Sequence, residues 1–171
     1  MMGDSAKTGQ RWIYIKNKSL ISLIVKTYAD ADKKKILDAT QKPRVIIDIV
    51  DKCDLPQTST YRKINSLMHN GLLIPAGNVS MKHGKIVTKY VSLFEKVEIN
   101  VIKNDISIRA KICKGAYHAL LEMMRMKIIH LSKNLKSSST RISSERMYEN
   151  MQGEGSESLI PYLIKERVIQ L

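Results

Sequence analysis

An α+β fold is predicted, with helices first, antiparallel hairpins after them and a long helix behind. Two observations carry it: apolar residues recur every three or four positions between 31 and 70, and from Leu72 to Ile112 they alternate with polar ones. A third is the return to helical spacing from Gly115 to Leu135, where Ala116, Ala119, Leu120, Met123, Met124, Ile128 and Leu131 form one wide stripe.

Residues 1–28 read as an N-terminal arm. The first ten are small and polar, and Arg11–Thr27 mixes β-branched residues, aromatics and lysines without clean helical periodicity, which suits a strand or a short helix. Asp30 or Asp32 suits the N-cap of a helix of about ten residues ending near Thr40. Pro43 restarts the chain, and Val45, Ile46, Ile49, Val50 and Cys53 mark the apolar face of a helix over Arg44–Cys53. Pro56 fits the first turn of the next helix, where its missing N–H has no intrahelical partner to lose, and Gly71 fits the cap that follows His69 or Asn70.

The period then drops toward two. Leu72–Val79 and Ile86–Phe94 form a hairpin with Gly84 at the bend. Val97–Val101 and Ile106–Ile112 form a second one, turning at Asn104 and Asp105 and expected to extend the sheet of the first. The stripe of 115–135 must bury against something; its own core and a dimer partner are equal candidates, and its methionines adapt to either. Lys136–Ser158, rich in Ser, Gly and charge, reads as a flexible linker. Leu159–Leu171 reads as a short amphipathic helix that docks on this chain or on a partner. The expected units are therefore 1–28, 29–94, 95–135, 136–158 and 159–171.

A chain of 171 residues supports one principal core. Its 29 Lys and Arg against 16 Asp and Glu give a net charge of +13 and a pI near 9.8, which points to a polyanionic partner. No signal-peptide-like run opens the chain and no stretch approaches the roughly 18 apolar residues of a membrane span, so a cytoplasmic protein with no membrane partner is expected. Cys53 and Cys113 are expected to stay reduced.

The segment Asp48–Leu73 (DIVDKCDLPQTSTYRKINSLMHNGLL) has the layout of a helix-turn-helix. One helix braces a second, here residues 56–70, which lies in the major groove, roughly 12 Å wide. Thr60, Ile64 and Leu67 face inward, leaving Gln57, Thr58, Ser59, Tyr61, Arg62 and Lys63 outward. Gln pairs with adenine, Arg with guanine, and Ser or Thr with base or phosphate. Tyr61 suits a base or phosphate contact, or packing against the hairpin. Between Asp54 and Glu95 there is no acidic residue, while Arg62, Lys63, Lys82, Lys85 and Lys89 fall in that interval. Taken with the hairpin tip near 80–86, residues 29–94 read as a winged helix-turn-helix that binds double-stranded DNA.

These residues resemble the arsenical-repressor-type (ArsR-like) winged-helix transcriptional regulators, archaeal members in particular. Ala29–Thr40 (ADADKKKILDAT) is similar to the family's opening helix, with Asp30, Lys33, Lys35, Ile36 and Leu37 at matching places. Asp48–Leu73 is similar to its helix-turn-helix ending in Gly-Leu, and Lys82–Leu93 (KHGKIVTKYVSL) to its wing, with Gly84, Lys85 and Tyr90 in place. The resemblance covers about a third of the chain position by position and over half of it loosely. It implies a homodimer on a near-palindromic operator, with Gln57, Thr58, Ser59, Tyr61 and Arg62 reading bases and Lys82, His83 and Lys85 holding the backbone or minor groove. Metal-sensing members carry two cysteines where this chain has Val45 and Ile47, so metal sensing at that place is not expected and Cys53 reads as an inert thiol.

Rival chemistries find little to stand on. His69, His83, His118 and His130 form no HExxH or zinc-ligand spacing, and Gly77, Gly84 and Gly153–Gly155 read as turns and linker rather than a phosphate loop. Asp48 and Asp51 share a solvated helix face. No enzyme, metal or cofactor is expected. The alternative is a winged helix used for protein contact within the transcription machinery, motivated by the stripe of 115–135 and the apolar tail. RNA binding ranks last, since aromatics make up only 5% of the chain.

Overall fold

The computed structural model describes residues 12–135, with side chains through Met126, and Leu159, Ile160 and Leu163 near the C-terminus. The expected linker at 136–158 lies outside the described residues, as do residues 1–11, the remainder of the terminal segment and the side chains of Ile128, His130 and Leu131. The fold is α+β, with two three-stranded antiparallel sheets.

Within the expected arm, the stretch that suits a strand or a short helix holds both: β1 (Trp12–Ile15), then α1 (Lys18–Ala29). Ile13 and Ile15 alternate onto the core side of β1, and Leu20, Ile24 and Thr27 recur on the buried side of α1. The intervening lysines take the outer face, which blurs the period in the bare sequence. Asn17 caps α1 by accepting the Leu20 N–H at 3.1 Å.

Helix α2 (Ala31–Ala39) starts where expected. The Asp30 carboxylate accepts the N–H groups of Asp32 and Lys33 at 3.0 and 3.1 Å, and the Thr40 hydroxyl donates to the Ile36 carbonyl at 2.8 Å at the other end. Arg44 and Val45, expected as helix, form the two-residue strand β2, paired with Tyr90 and Lys89. Helix α3 is thus Ile46–Cys53, with Ile49 and Cys53 buried. It stops at Asp54, which adopts the left-handed conformation (φ 48°) that Asp tolerates better than most residues. After this sharp turn comes α4 (Gln57–His69), with Pro56 at its N-cap. Its far end is a Schellman motif: Gly71 takes φ 72°, the Leu72 N–H donates to Leu67 O at 2.9 Å, and the Gly71 N–H to Met68 O at 3.0 Å.

Strand β3 (Leu73–Ser80) pairs with β4 (Ile86–Ser92), and β2 completes the sheet in the order β2–β4–β3. The second hairpin does not extend this sheet. At Leu93 the chain leaves β4 and enters β5 (Phe94–Ile102), which pairs with β6 (Asp105–Ile112), and the free edge of β6 is taken by β1, giving a separate sheet β1–β6–β5. Leu93 is the joint. Its N–H donates to Leu72 O and its carbonyl accepts from Cys113 N, both at 2.9 Å. The turn falls on Lys103–Asn104 rather than Asn104–Asp105, both residues having positive φ as a two-residue hairpin turn demands.

Helix α5 (Lys114–Leu135) lies against β3 and β4, with Ala116, Leu120 and Met124 buried in this chain's own core. Leu159 and Leu163 are fully buried in the same cluster, and the Leu159 N–H donates to Asn70 O at 3.3 Å, so these terminal residues dock on this chain. Among the described residues no helix is long and apolar enough to cross a membrane.

Candidate nucleic-acid interface

Helix α4 is braced from behind by α2, α3 and β3. Thr60, Ile64 and Leu67, spaced four and three apart, are completely buried, and the Thr60 hydroxyl donates to Pro56 O at 3.0 Å so that no polar atom is stranded inside. Helical geometry then forces the opposite face outward: Gln57, Thr58, Tyr61 and Arg62 are exposed. Asn65, four residues past Tyr61 and three past Arg62, is exposed on that face as well. The sequence reading missed it, although continuing the outward stripe by one turn finds it. Asn is suited to bidentate pairing with adenine.

Ser59 and Lys63 differ from their neighbours. Both are only half exposed and sit on the flank of α4 that turns toward α2. Lys63 Nζ contacts both oxygens of Asp30 at 2.8 Å and an Asp32 oxygen at 3.2 Å, so its charge is held within the molecule. The Lys63 ammonium holds the Asp30 carboxyl below the usual carboxylate range, helped by the backbone N–H groups it caps, and Asp30 in turn raises Lys63. Nearby, Lys33 Nζ donates to Ser66 Oγ at 3.2 Å. The acid-free interval is therefore not free of acids in space, because Asp30 and Asp32 reach it from 31 to 33 residues upstream.

The β3–β4 hairpin loses burial along its length. At its base Leu73, Ile74, Val91 and Ser92 are buried, whereas Met81 through Ile86 are all exposed. Gly77 (φ 95°) sits in a bulge between the Pro75 and Asn78 registers. The tip is a short 3₁₀ turn, Lys82–Gly84, closed by Met81 N–H to Lys85 O at 2.7 Å. It presents Lys82, His83 and Lys85, with His83 and Gly84 in left-handed conformations (φ 70° and 75°). Ile86 is 70% exposed beside them. No ion pair involves these tip residues among the described residues.

A cleft of about 320 Å³ opens between α2 and α4, lined by Lys33, Ser59, Arg62, Lys63 and Ser66. Cys53 is buried, and burial pushes its thiol above the ordinary value, partly opposed by Lys35 and Lys52. The two positions matched to metal-sensing cysteines hold a buried Val45 and an exposed Ile47, and no cluster suited to a metal ion occurs among the described residues. Comparison with protein-family models, with curated proteins and with solved structures returns no match, so the site stands on its own geometry.

Proposed function

We propose that residues 29–94 form a winged helix-turn-helix of the arsenical-repressor type and that the protein is a sequence-specific, double-stranded-DNA-binding transcriptional regulator acting as a homodimer. Helix α4 enters the major groove, and the β3–β4 tip is the wing, lying on the backbone or in the minor groove. The observation that carries this reading is the two-sided character of α4: a fully buried face of Thr60, Ile64 and Leu67 behind an exposed face of Gln57, Thr58, Tyr61, Arg62 and Asn65 that bears no acid. Gln57, Thr58, Tyr61 and Asn65 reach base edges, while Lys82, His83 and Lys85 add the sequence-independent attraction.

Binding of labelled duplex by the full chain, followed as a gel shift, tests it. Gln57→Ala and Asn65→Ala are expected to relax sequence preference, costing about 1–3 kcal/mol against the best site and little on random duplex. Equal binding of all sequences by the native chain would remove sequence-specific regulation from the reading.

A second reading, a protein-contact subunit of the transcription machinery, draws on the second sheet. There the edge strand β5 leaves Ile99, Val101 and Ile102 exposed. Absence of duplex binding at both low and moderate salt would favour it.

A further inference from the structure

The cleft between α2 and α4 has a composition unlike the rest of the reading face. Ser59, Arg62, Lys63 and Ser66 fall at i, i+3, i+4 and i+7 along α4, one flank of the helix, with Lys33 of α2 opposite. Every residue on its wall can donate a hydrogen bond, and none is apolar. The wall carries three cations, and the two carboxylates that hold Lys63, those of Asp30 and Asp32, offset two of them, which leaves one net positive charge. Lys63 is the cation those carboxylates hold. Lys33 uses one of its three ammonium hydrogens on Ser66. Arg62 is exposed and has no acidic partner among the described residues, so its planar fork is available to a ligand.

Resting on the DNA reading above, we propose that this cleft seats one phosphate group of the DNA backbone. Arg62 is its forked donor, Lys33 its second cation, and the hydroxyls of Ser59 and Ser66 complete the shell. Lys63 is a positioning residue: pinned by Asp30 and Asp32, it ties α4 to the start of α2 and keeps the two walls together. Arg62 and Ser59 are then register-setting contacts instead of base readers, and the sequence code falls to Gln57, Thr58, Tyr61 and Asn65. An arginine on a phosphate positions the helix in the groove without carrying sequence information.

The test is the dependence of duplex affinity on salt for the full native chain, Arg62→Ala, Lys33→Ala and, as a control for charge removal elsewhere, Arg125→Ala on α5. Arg62→Ala is expected to lower the logarithmic salt slope by about 0.9 and to weaken the preferred and a random duplex by the same factor, about four- to eightfold near 0.1–0.2 M salt. Lys33→Ala should act in the same direction, and Arg125→Ala should leave slope and affinity unchanged. Arg62→Ala with an undiminished slope, or with a loss confined to the preferred sequence, overturns the seat and leaves the DNA reading standing. A native chain that binds no duplex at any salt overturns both. Amide shifts of Ser59 and Ser66 separate the sources of phosphate. Movement with duplex that is lost in Arg62→Ala supports the backbone assignment, and movement with inorganic phosphate but not with duplex overturns it.

Discussion

The molecule carries two hairpins of similar length, and their charges are used in opposite ways. On the strands of β5–β6 the cations are committed, Lys103 at the turn aside: Arg109 and Lys96 both pair with Glu98, Lys111 lies 3.8 Å from Glu95, and Lys96 and Arg109 stack over the Trp12 ring at 5.3 and 4.8 Å from its centroid. In β3–β4 there is no acid to pair with, and Lys82 and Lys85 stand exposed at the tip. A net charge of +13 belongs to the whole chain, but only unpaired charge attracts a polyanion. The basic residues that matter for such a partner are those the fold leaves uncommitted. Lys63, although on α4, belongs with the committed set.

The largest expected effect separates the hairpins directly. Replacing Lys82 and Lys85 together by Ala should weaken duplex binding about 30-fold near 0.15 M salt and lower the salt slope by about two, if each meets one phosphate. The matching double replacement of Lys96 and Lys111 should leave affinity within about twofold, since those charges are already neutralised by neighbours. Equal losses from the two pairs would erase the distinction.

Committed charge has a structural role that stability measurements can read. Asp30→Ala removes an N-cap and the partner of Lys63 together and should cost about 1–2 kcal/mol by denaturant unfolding; Asp30→Asn, which keeps the cap, should cost under about 1 kcal/mol because the ion pair is partly solvated. The pair also sets a pH dependence. Because the folded Asp30 titrates below its ordinary 3.8, its contribution is complete above that value and is lost as pH falls through the lower one. Lys63 titrates above its ordinary 10.5, so its share is complete below 10.5 and is lost as pH rises through the higher value. Urea titrations across these two edges should show a wild-type stability excess over Asp30→Asn on the plateau between them, lost below the lower edge and reduced above the upper one to what the capping charge contributes.

The β5–β6 turn should respond least of all. Lys103 and Asn104 both occupy positive φ in the β5–β6 turn. Changing them to Asn and Gly, the pair that this turn geometry favours, should raise stability by about 0.5–1 kcal/mol with duplex binding unaltered. A change in binding would implicate the second hairpin in the interface.

Local chemistry explains what could be read in advance. The Asp30 cap, the Gly71 closure of α4, the buried trio Thr60, Ile64 and Leu67 and the Gly84 bend each rest on residues within one or two turns of each other, where spacing and backbone preference decide the outcome. Long-range pairing was not legible. Nothing in WIYI announces that β1 joins β6 some ninety residues later, and Arg44–Val45 leave the helical pattern only because β4 offers them a ladder. The same holds for the candidate interface. The outward positions of α4 followed from its period, but the capture of Lys63 by Asp30 and Asp32, and the cleft it helps to form, required knowing that α2 lies beside α4.

Selection of bound sequences from a random duplex pool by the full chain bears most directly on the claim that α4 and the β3–β4 tip read DNA. Enrichment is expected of an inverted repeat whose half-sites lie about 10–10.5 base pairs apart, or a multiple of that, as two recognition helices on one face of the duplex require. A pool that stays unenriched after repeated rounds at low salt would contradict it.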